Sequence, residues 1–412
     1  MNKTLAITAL TAVVLTATAT TADAHIATPT WVTANSVSTG DQDAAAVATN
    51  RNGYVAVVWE DDRDTDNATD NVHSDIYLRL FRNGTAVYEK KLSAGGSSGV
   101  TNWRHLHPDV GLDDKGNAVV VWQDDPDGNG YYNIPYRVVN TSGTVTASGN
   151  ANTSATGQQI NPRVAVDPDG AQSGAAVAFT VVWEDIQTGT PATVKAAGYT
   201  GPTTRAWEVT ASQTTGQHHN PDVAVSASGD AVVVWDEDGD ANADYNIGLI
   251  RLARTNGAAS LSRRVANATT SGQQTRPSAA ANFNGDFAVA WESGGVWTRS
   301  FTVAGTARYG DVQAASSGVA PSIGIDDQSQ SVVGWTVAGA DPDVWVRGFG
   351  TDGTDAGRLS AQRLSSATAG RQEQLSVAVS PYAEVAVAYT DDNDANTYDQ
   401  VILGTGISNN SW

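Results

Sequence analysis

One phrase recurs seven times in this chain: a run of small and β-branched residues that ends on an aromatic side chain. The seven runs are "VAVVWE" at Trp59, "AVVVWQ" at Trp122, "FTVVWE" at Trp183, "AVVVWD" at Trp235, "FAVAWE" at Trp291, "SVVGWT" at Trp335 and "VAVAYT" at Tyr389. Consecutive anchors lie 44 to 63 residues apart. That spacing is too long for a hairpin and suits a four-stranded unit. The fourth unit reads most plainly. "PDVAVSAS" alternates like a strand, "GD" turns, and "AVVVWDE" is apolar on both faces. After an acidic loop come "YNIGLIRLAR", a turn at "TNG" and "ASLSRRVAN". Helical periodicity is absent throughout.

Seven such units around an axis make an all-β, seven-bladed β-propeller with four-stranded antiparallel blades. A solenoid of the same units is the rival. The chain ends decide between them, because the last unit stops after its third strand. Thr30 to Thr49 matches Ala206 to Ser226, an outer strand followed by the next inner strand. Trp31 to Ser36 is therefore expected to complete the last blade and close the ring. The seven anchors are read as packing between blades. One propeller domain is expected over residues 25–412.

Residues 1–24 read as a signal peptide. Lys3 is followed by an apolar stretch, Leu5 to Leu15, and Ala22-Asp23-Ala24 is a cleavage-site pattern. No other apolar run approaches the ~20 residues of a membrane span. The expected address is extracellular and the expected state a monomer. The chain has no cysteine, its only methionine is Met1, and its formal charge is −20. That charge argues against nucleic acid, which asks for basic patches.

"TGQQINP" (Thr156 to Pro162), "TGQHHNP" (Thr215 to Pro221) and "SGQQTRP" (Ser271 to Pro277) each precede an inner strand. Gly157, Gly216 and Gly272 suit a turning connector. Pro162, Pro221 and Pro277 suit the first position of a strand. The glutamines leave two readings, a cap on exposed backbone groups or recognition by a partner that reads glutamine. These connectors are expected on the same rim as the acidic loops.

Four of those loops spell D-x-D-x-[DN]: Asp62-Asp64-Asp66, Asp125-Asp127-Asn129, Asp238-Asp240-Asn242 and Asp392-Asp394-Asn396. Alternate oxygens on a tight loop can hold calcium, and they also form Asx turns. The glutamate that an EF-hand needs at its twelfth position is missing. No G-x-S-x-G elbow and no cysteine nucleophile is present. The sialidase box S-x-D-x-G-x-T-W and an arginine cluster are absent too. The inner strands read as small and apolar, with few carboxylates. The expectation is a chain that is not an enzyme.

An acidic, cysteine-free propeller with V-V-W-[ED] blades, a lone signal peptide and Gln-rich rim connectors resembles the dispase autolysis-inducing proteins. The resemblance covers the whole mature chain as architecture. It implies a non-enzymatic extracellular protein that binds thermolysin-like neutral metalloproteases and promotes their autolysis. It also implies a glutamine donor for a secreted transglutaminase. Candidate donors are Gln158, Gln159, Gln273, Gln274, Gln328, Gln330, Gln372 and Gln374. The alternative is a carbohydrate-binding or carbohydrate-cleaving propeller, with Trp103, Tyr131 and Tyr132 as the aromatic residues best placed to stack on sugars.

Overall fold

In the computed structural model, residues 29–63, 74–94, 103–170, 176–242, 244–354, 359–364, 370–392 and 398–407 are described. They form seven four-stranded antiparallel sheets and no helix. The inner strands of blades 1 to 7 are Gln42–Thr49, Arg104–Leu112, Gln158–Val166, Gln217–Val225, Thr275–Ala281, Val319–Ile325 and Arg371–Val379. Each sheet then runs outward in chain order, except the seventh. There the outer strand is Thr30–Thr33, paired antiparallel with Gln400–Ile407. The ring is closed by the N-terminal strand, as its sequence match to the outer strand of blade 3 predicts. The predicted leader, residues 1–24, lies outside the described residues.

The closure is held by side chains as well as by the ladder. Trp31 lies over Gly404, where an added Cβ would sit 2.3 Å from the indole. Asn35 is buried; its Oδ1 accepts the Val401 N–H at 3.0 Å, and its Nδ2 reaches Gln42 Oε1 at 2.8 Å and Gln400 Oε1 at 2.7 Å. It therefore ties the last blade to the first.

No single core exists. The described residues fall into seven hydrophobic clusters, and each straddles one junction between neighbouring blades. All seven anchors are buried: Trp59, Trp122, Trp183, Trp235, Trp291, Trp335 and Tyr389. Because each blade buries its faces on two neighbours, the chain avoids the size limit of one core, roughly 250–300 residues.

Every inner strand carries one irregularity at the same place. In blade 1, Asp43 pairs with Glu60 and Ala46 with Val58, so Ala44 and Ala45 together oppose Trp59. The other six blades repeat this, each with its aromatic anchor opposite a two-residue bulge. The first bulge residue has a left-handed backbone in every case: Ala44, His107, Asn161, Asn220, Arg276, Ala320 and Gln374, with φ between 48° and 56°. None is glycine. The second is Ala45, Pro108, Pro162, Pro221, Pro277, Pro321 or Leu375. The expected strand-start position of Pro162, Pro221 and Pro277 is thus corrected. They sit inside the strand, at a bulge position whose N–H has no partner in the ladder, which is why proline is accepted.

A left-handed backbone costs a residue with a Cβ about 1 kcal/mol or more. Ala320 is exposed, so removing its methyl loses little packing. Ala320→Gly is expected to raise stability by about 1 kcal/mol, whereas Ala46→Gly, in ordinary strand geometry, costs about as much. Denaturant midpoints of the two variants check this; equal destabilisation by both contradicts the strained-bulge account.

Candidate functional site: the central channel and its connector-side mouth

Turning a bulge N–H out of its own ladder leaves a donor that needs an acceptor. At five junctions the preceding blade supplies it from the residue just after the anchor. His107 N donates to Glu60 Oε1 at 2.6 Å, Asn161 N to Gln123 Oε1 at 3.1 Å, and Asn220 N to Glu184 Oε1 at 2.7 Å. Arg276 N donates to Asp236 Oδ1 at 2.7 Å, and Ala320 N to Glu292 Oε1. At the closing junction Thr390 replaces the long acceptor, and Gln374 Oε1 takes the Ala44 N–H at 2.6 Å. The E, Q and D of the V-V-W-[EQD] repeat are therefore blade-to-blade latches.

A second ring lies one step deeper. Asp109 Oδ2 accepts the Val164 N–H and Asp222 Oδ2 the Ala279 N–H, both at 2.7 Å. Ser278, Ser322 and Ser376 serve the following blades in the same way. Together the bulges and these residues line a central channel with a cavity of about 910 Å³. Its wall includes Asp43, Glu60, Asp109, Arg163, Asp222 and Arg276. The sequence reading of small, apolar inner strands with few charges does not hold for this wall. Alternation hides those charges among the Val and Ala that face the sheets.

Burial sets the state of the latches. It pushes Asp109 and Asp236 up to about 7, against Arg163 for the first and Asn220 for the second. Asp43 is also pushed up to about 7, by burial and then by Asp399, Asp41, Asp62 and Glu373. Burial and Asp43 hold Glu60 well above the usual carboxylate range.

The chemistry of the mouth is concentrated in blades 3 to 5. His219 Nδ1 lies 3.1 Å from Glu184 Oε2. Glu184 Oε1 also accepts from Asn161 Nδ2 at 2.7 Å. Asn220 Nδ2 donates to Asp236 Oδ2 at 2.7 Å, and Arg276 Nη1 lies 3.3 Å from Glu292 Oε1. Tyr245 stands beside the His219 ring, centroids 6.3 Å apart. The result is a continuous arc of fixed donors and acceptors. In the other blades Ala44, Ala320, Thr336 and Thr390 stand at four of the corresponding positions, with Asp43, Glu60, His107, Gln123, Glu373 and Gln374 at others. Sequence reasoning missed this arc. The one available signal was that the residue one or two before Pro is charged or an imidazole only in some repeats, as with Arg276 in "QTRP" and His219 in "HHNP".

The glutamine connectors resolve by position. The second residue of the pair is buried: Gln159, His218 and Gln274, with Gln42, His105 and Gln372 as equivalents. Gln159 Nε2 donates to Thr156 O at 2.7 Å and Gln274 Nε2 to Ser271 O at 3.0 Å, each folding back over a left-handed glycine. The first residue ties the connector to the acidic loop of the preceding blade: Gln158 to Gly130 and Tyr132, Gln273 to Tyr245. Connectors and acidic loops do share one rim. Gln330 is buried, Gln374 is a latch, and Gln273 and Gln328 are exposed.

In the acidic loops, Asp125 accepts from the N–H groups of Asn129 and Gly130, and Asp127 from Asn129. Asp238 and Asp240 hold Asn242 in the same way. These are Asx turns. Asp62 is buried and pushed up to about 6 by burial and Asp41, and Asp392 is half-buried. Asp64, Asp66 and Asp394 lie outside the described residues, among which no group of three or more acidic or histidine side chains has metal-holding geometry. Of the aromatic candidates, Tyr131 is exposed, while Trp103 packs against His105.

No family model matches the chain, and no curated protein does. Solved structures of similar build include the NanB sialidase of Streptococcus pneumoniae, 8% identical, TM-score 0.47, covering 89% of this chain and 70% of that one. A protein of unknown function from Dyadobacter fermentans is 11% identical, TM-score 0.48, covering 91% and 97%. The Trypanosoma rangeli sialidase is 9% identical, TM-score 0.42, covering 89% of this chain and 55% of that one. The likeness is one of fold and transfers no residue. The expectation of a chain that is not an enzyme is withdrawn, because it rested on small, apolar inner strands and the channel wall they form carries Asp43, Glu60, Asp109, Arg163, Asp222 and Arg276.

Two outcomes follow. Between about pH 4 and pH 7 the folded protein keeps protons on Asp43, Asp109 and Asp236 that the unfolded chain has released. Stability is therefore expected to fall as pH rises through that window and to level off above it. Denaturant midpoints at several pH values measure the slope, which Asp109→Asn should flatten; a rise across the window contradicts the assignment. If a microbial transglutaminase takes this chain as acyl donor, a labelled amine is expected on Gln273 and Gln328 before Gln159, Gln274 or Gln372. Peptide mass mapping of the folded protein checks the order.

Proposed function

We propose that this protein is a carbohydrate-active propeller that binds a saccharide at the connector-side mouth of its central channel. One observation carries this reading: Asn161, Asn220 and Arg276 line a cavity of about 910 Å³, and Glu184, Asp236 and, through Glu184, His219 join them in one hydrogen-bonded arc. Sugars offer hydroxyl groups that donate and accept at close spacing, and rigid polar arrays recognise them without reorganising. The arc is rigid because its carboxylates are also the latches between blades. The Tyr245 ring adds an apolar face beside the polar groups.

Arg276 is the group to remove first. Its side chain is 58% exposed, so its loss leaves the fold intact, while its backbone N–H stays on Asp236. A glycan array probed with the mature protein is expected to show binding that Arg276→Ala weakens at least tenfold, about 1.4 kcal/mol. Binding that survives Arg276→Ala and His219→Ala unchanged places the sugar elsewhere, and an array with no binding removes the reading.

A further inference from the structure

We propose that His219 is the acid–base residue of this mouth and that the saccharide it acts on carries an O-acyl ester. The inference rests on the saccharide reading and goes beyond it.

The imidazole is held by one nitrogen. Its Nδ1 lies 3.1 Å from Glu184 Oε2, and the side chain of Glu184 is 3% exposed. The other oxygen of Glu184 takes Asn161 Nδ2 and the Asn220 N–H, both at 2.7 Å, so the carboxylate cannot turn away. With the Nδ1 proton directed at Glu184, the lone pair of Nε2 is left for a ligand. Nε2 has no hydrogen-bond partner among the described residues, and the side chain is 34% exposed. A base oriented by a fixed carboxylate and open on its far side is a general acid–base arrangement. Glu184 first, and Asp236 as well, raise the affinity of the ring for its proton; burial opposes them. The Tyr245 ring stands beside the imidazole, and Arg276, whose N–H is on Asp236, follows on the next blade.

The other carboxylates of the arc are already engaged. Asp236 accepts from Arg276 N and Asn220 Nδ2, and Glu292 from Ala320 N and Arg276. Cleaving a glycosidic bond asks for two carboxyl groups free to act on opposite sides of it. This arc offers one free imidazole and, on the next blade, one exposed guanidinium. That pairing suits addition of water to a carbonyl.

In the reaction, Nε2 of His219 takes a proton from water as the water oxygen bonds to the acyl carbon. The carbonyl π pair moves onto its oxygen, facing Arg276. As the carbonyl re-forms, the bond from the acyl carbon to the sugar oxygen breaks, and His219 returns its proton to that oxygen. Ester and water give a carboxylic acid and a free sugar hydroxyl, and no other reactant is needed.

The test uses the mature protein with acetylated xylo-oligosaccharides, following acetate and new reducing ends separately. Acetate without new reducing ends is expected, with a rate that rises with pH through one titration. His219→Ala should lower the rate at least 100-fold, within the range such catalysis contributes. Glu184→Gln keeps an acceptor for Asn220 and should move the titration downward. A ¹⁵N titration of His219 without ligand should show the Nδ1–H form, a free Nε2 and a midpoint above the ordinary imidazole value of about 6.5. Oligosaccharide binding without acetate release, or release that His219→Ala leaves unchanged, overturns the assignment and leaves saccharide binding standing. Neither binding nor release overturns both. New reducing ends in place of acetate assign glycosidic cleavage and overturn the ester proposal.

Discussion

One unpaired backbone N–H per blade organises this molecule. The aromatic anchor occupies the place of two residues on the inner strand, so that strand must bulge, and the first bulge residue is driven into a left-handed conformation. Its N–H then points out of its own sheet. A buried donor without an acceptor costs about 1–3 kcal/mol, and only the neighbouring blade is near enough to supply one. Strain within a blade is thereby converted into adhesion between blades. The same seven bulges stand around the axis, so the feature that fastens blade to blade also lines the channel.

This arrangement accounts for much of the acidity. In the run Trp-Glu-Asp at Trp59, Glu60 latches the next blade and Asp61 accepts the indole N–H of its own anchor at 2.7 Å. Asp236 and Glu237 divide the same tasks after Trp235. On the outer side, arginines complete the junctions by reaching carbonyls of the preceding blade: Arg79 to Ala34, Arg263 to Ala211 and Arg299 to Ala266. Charge here is largely a fastening, and its uneven distribution in the mouth is what leaves blades 3 to 5 with chemistry to spare.

The architecture was legible because its signals are local and repeated. Val and Ala runs ending on Trp59 or Trp235 announce a strand buried on both faces, and the match between Thr30–Thr49 and an internal segment announces closure. The bulge was not legible. Its occupants are Ala, His, Asn, Arg and Gln, chosen by a backbone angle that no side chain advertises. That is also why the prolines were expected at the strand starts and not inside the strands. The site was hidden for a related reason. His218 and His219 are adjacent in sequence, yet strand alternation buries the first in the connector, with Nε2 3.0 Å from Thr215 O, and sends the second to Glu184 at the mouth. Only the register separates a structural imidazole from an available one.

The closing strand has a consequence in time. Thr30–Thr33 is the first strand of the ring to be made and pairs with Gln400–Ile407, the last strand of the ring. Until that strand emerges, the first has no partner, and the first blade's inner face stands open where the seventh will pack. Intermediate chains therefore expose sheet surface and an unpaired strand, a state in which aggregation competes with folding. A ring built this way assembles blade by blade but becomes a single cooperative object only when its two ends meet.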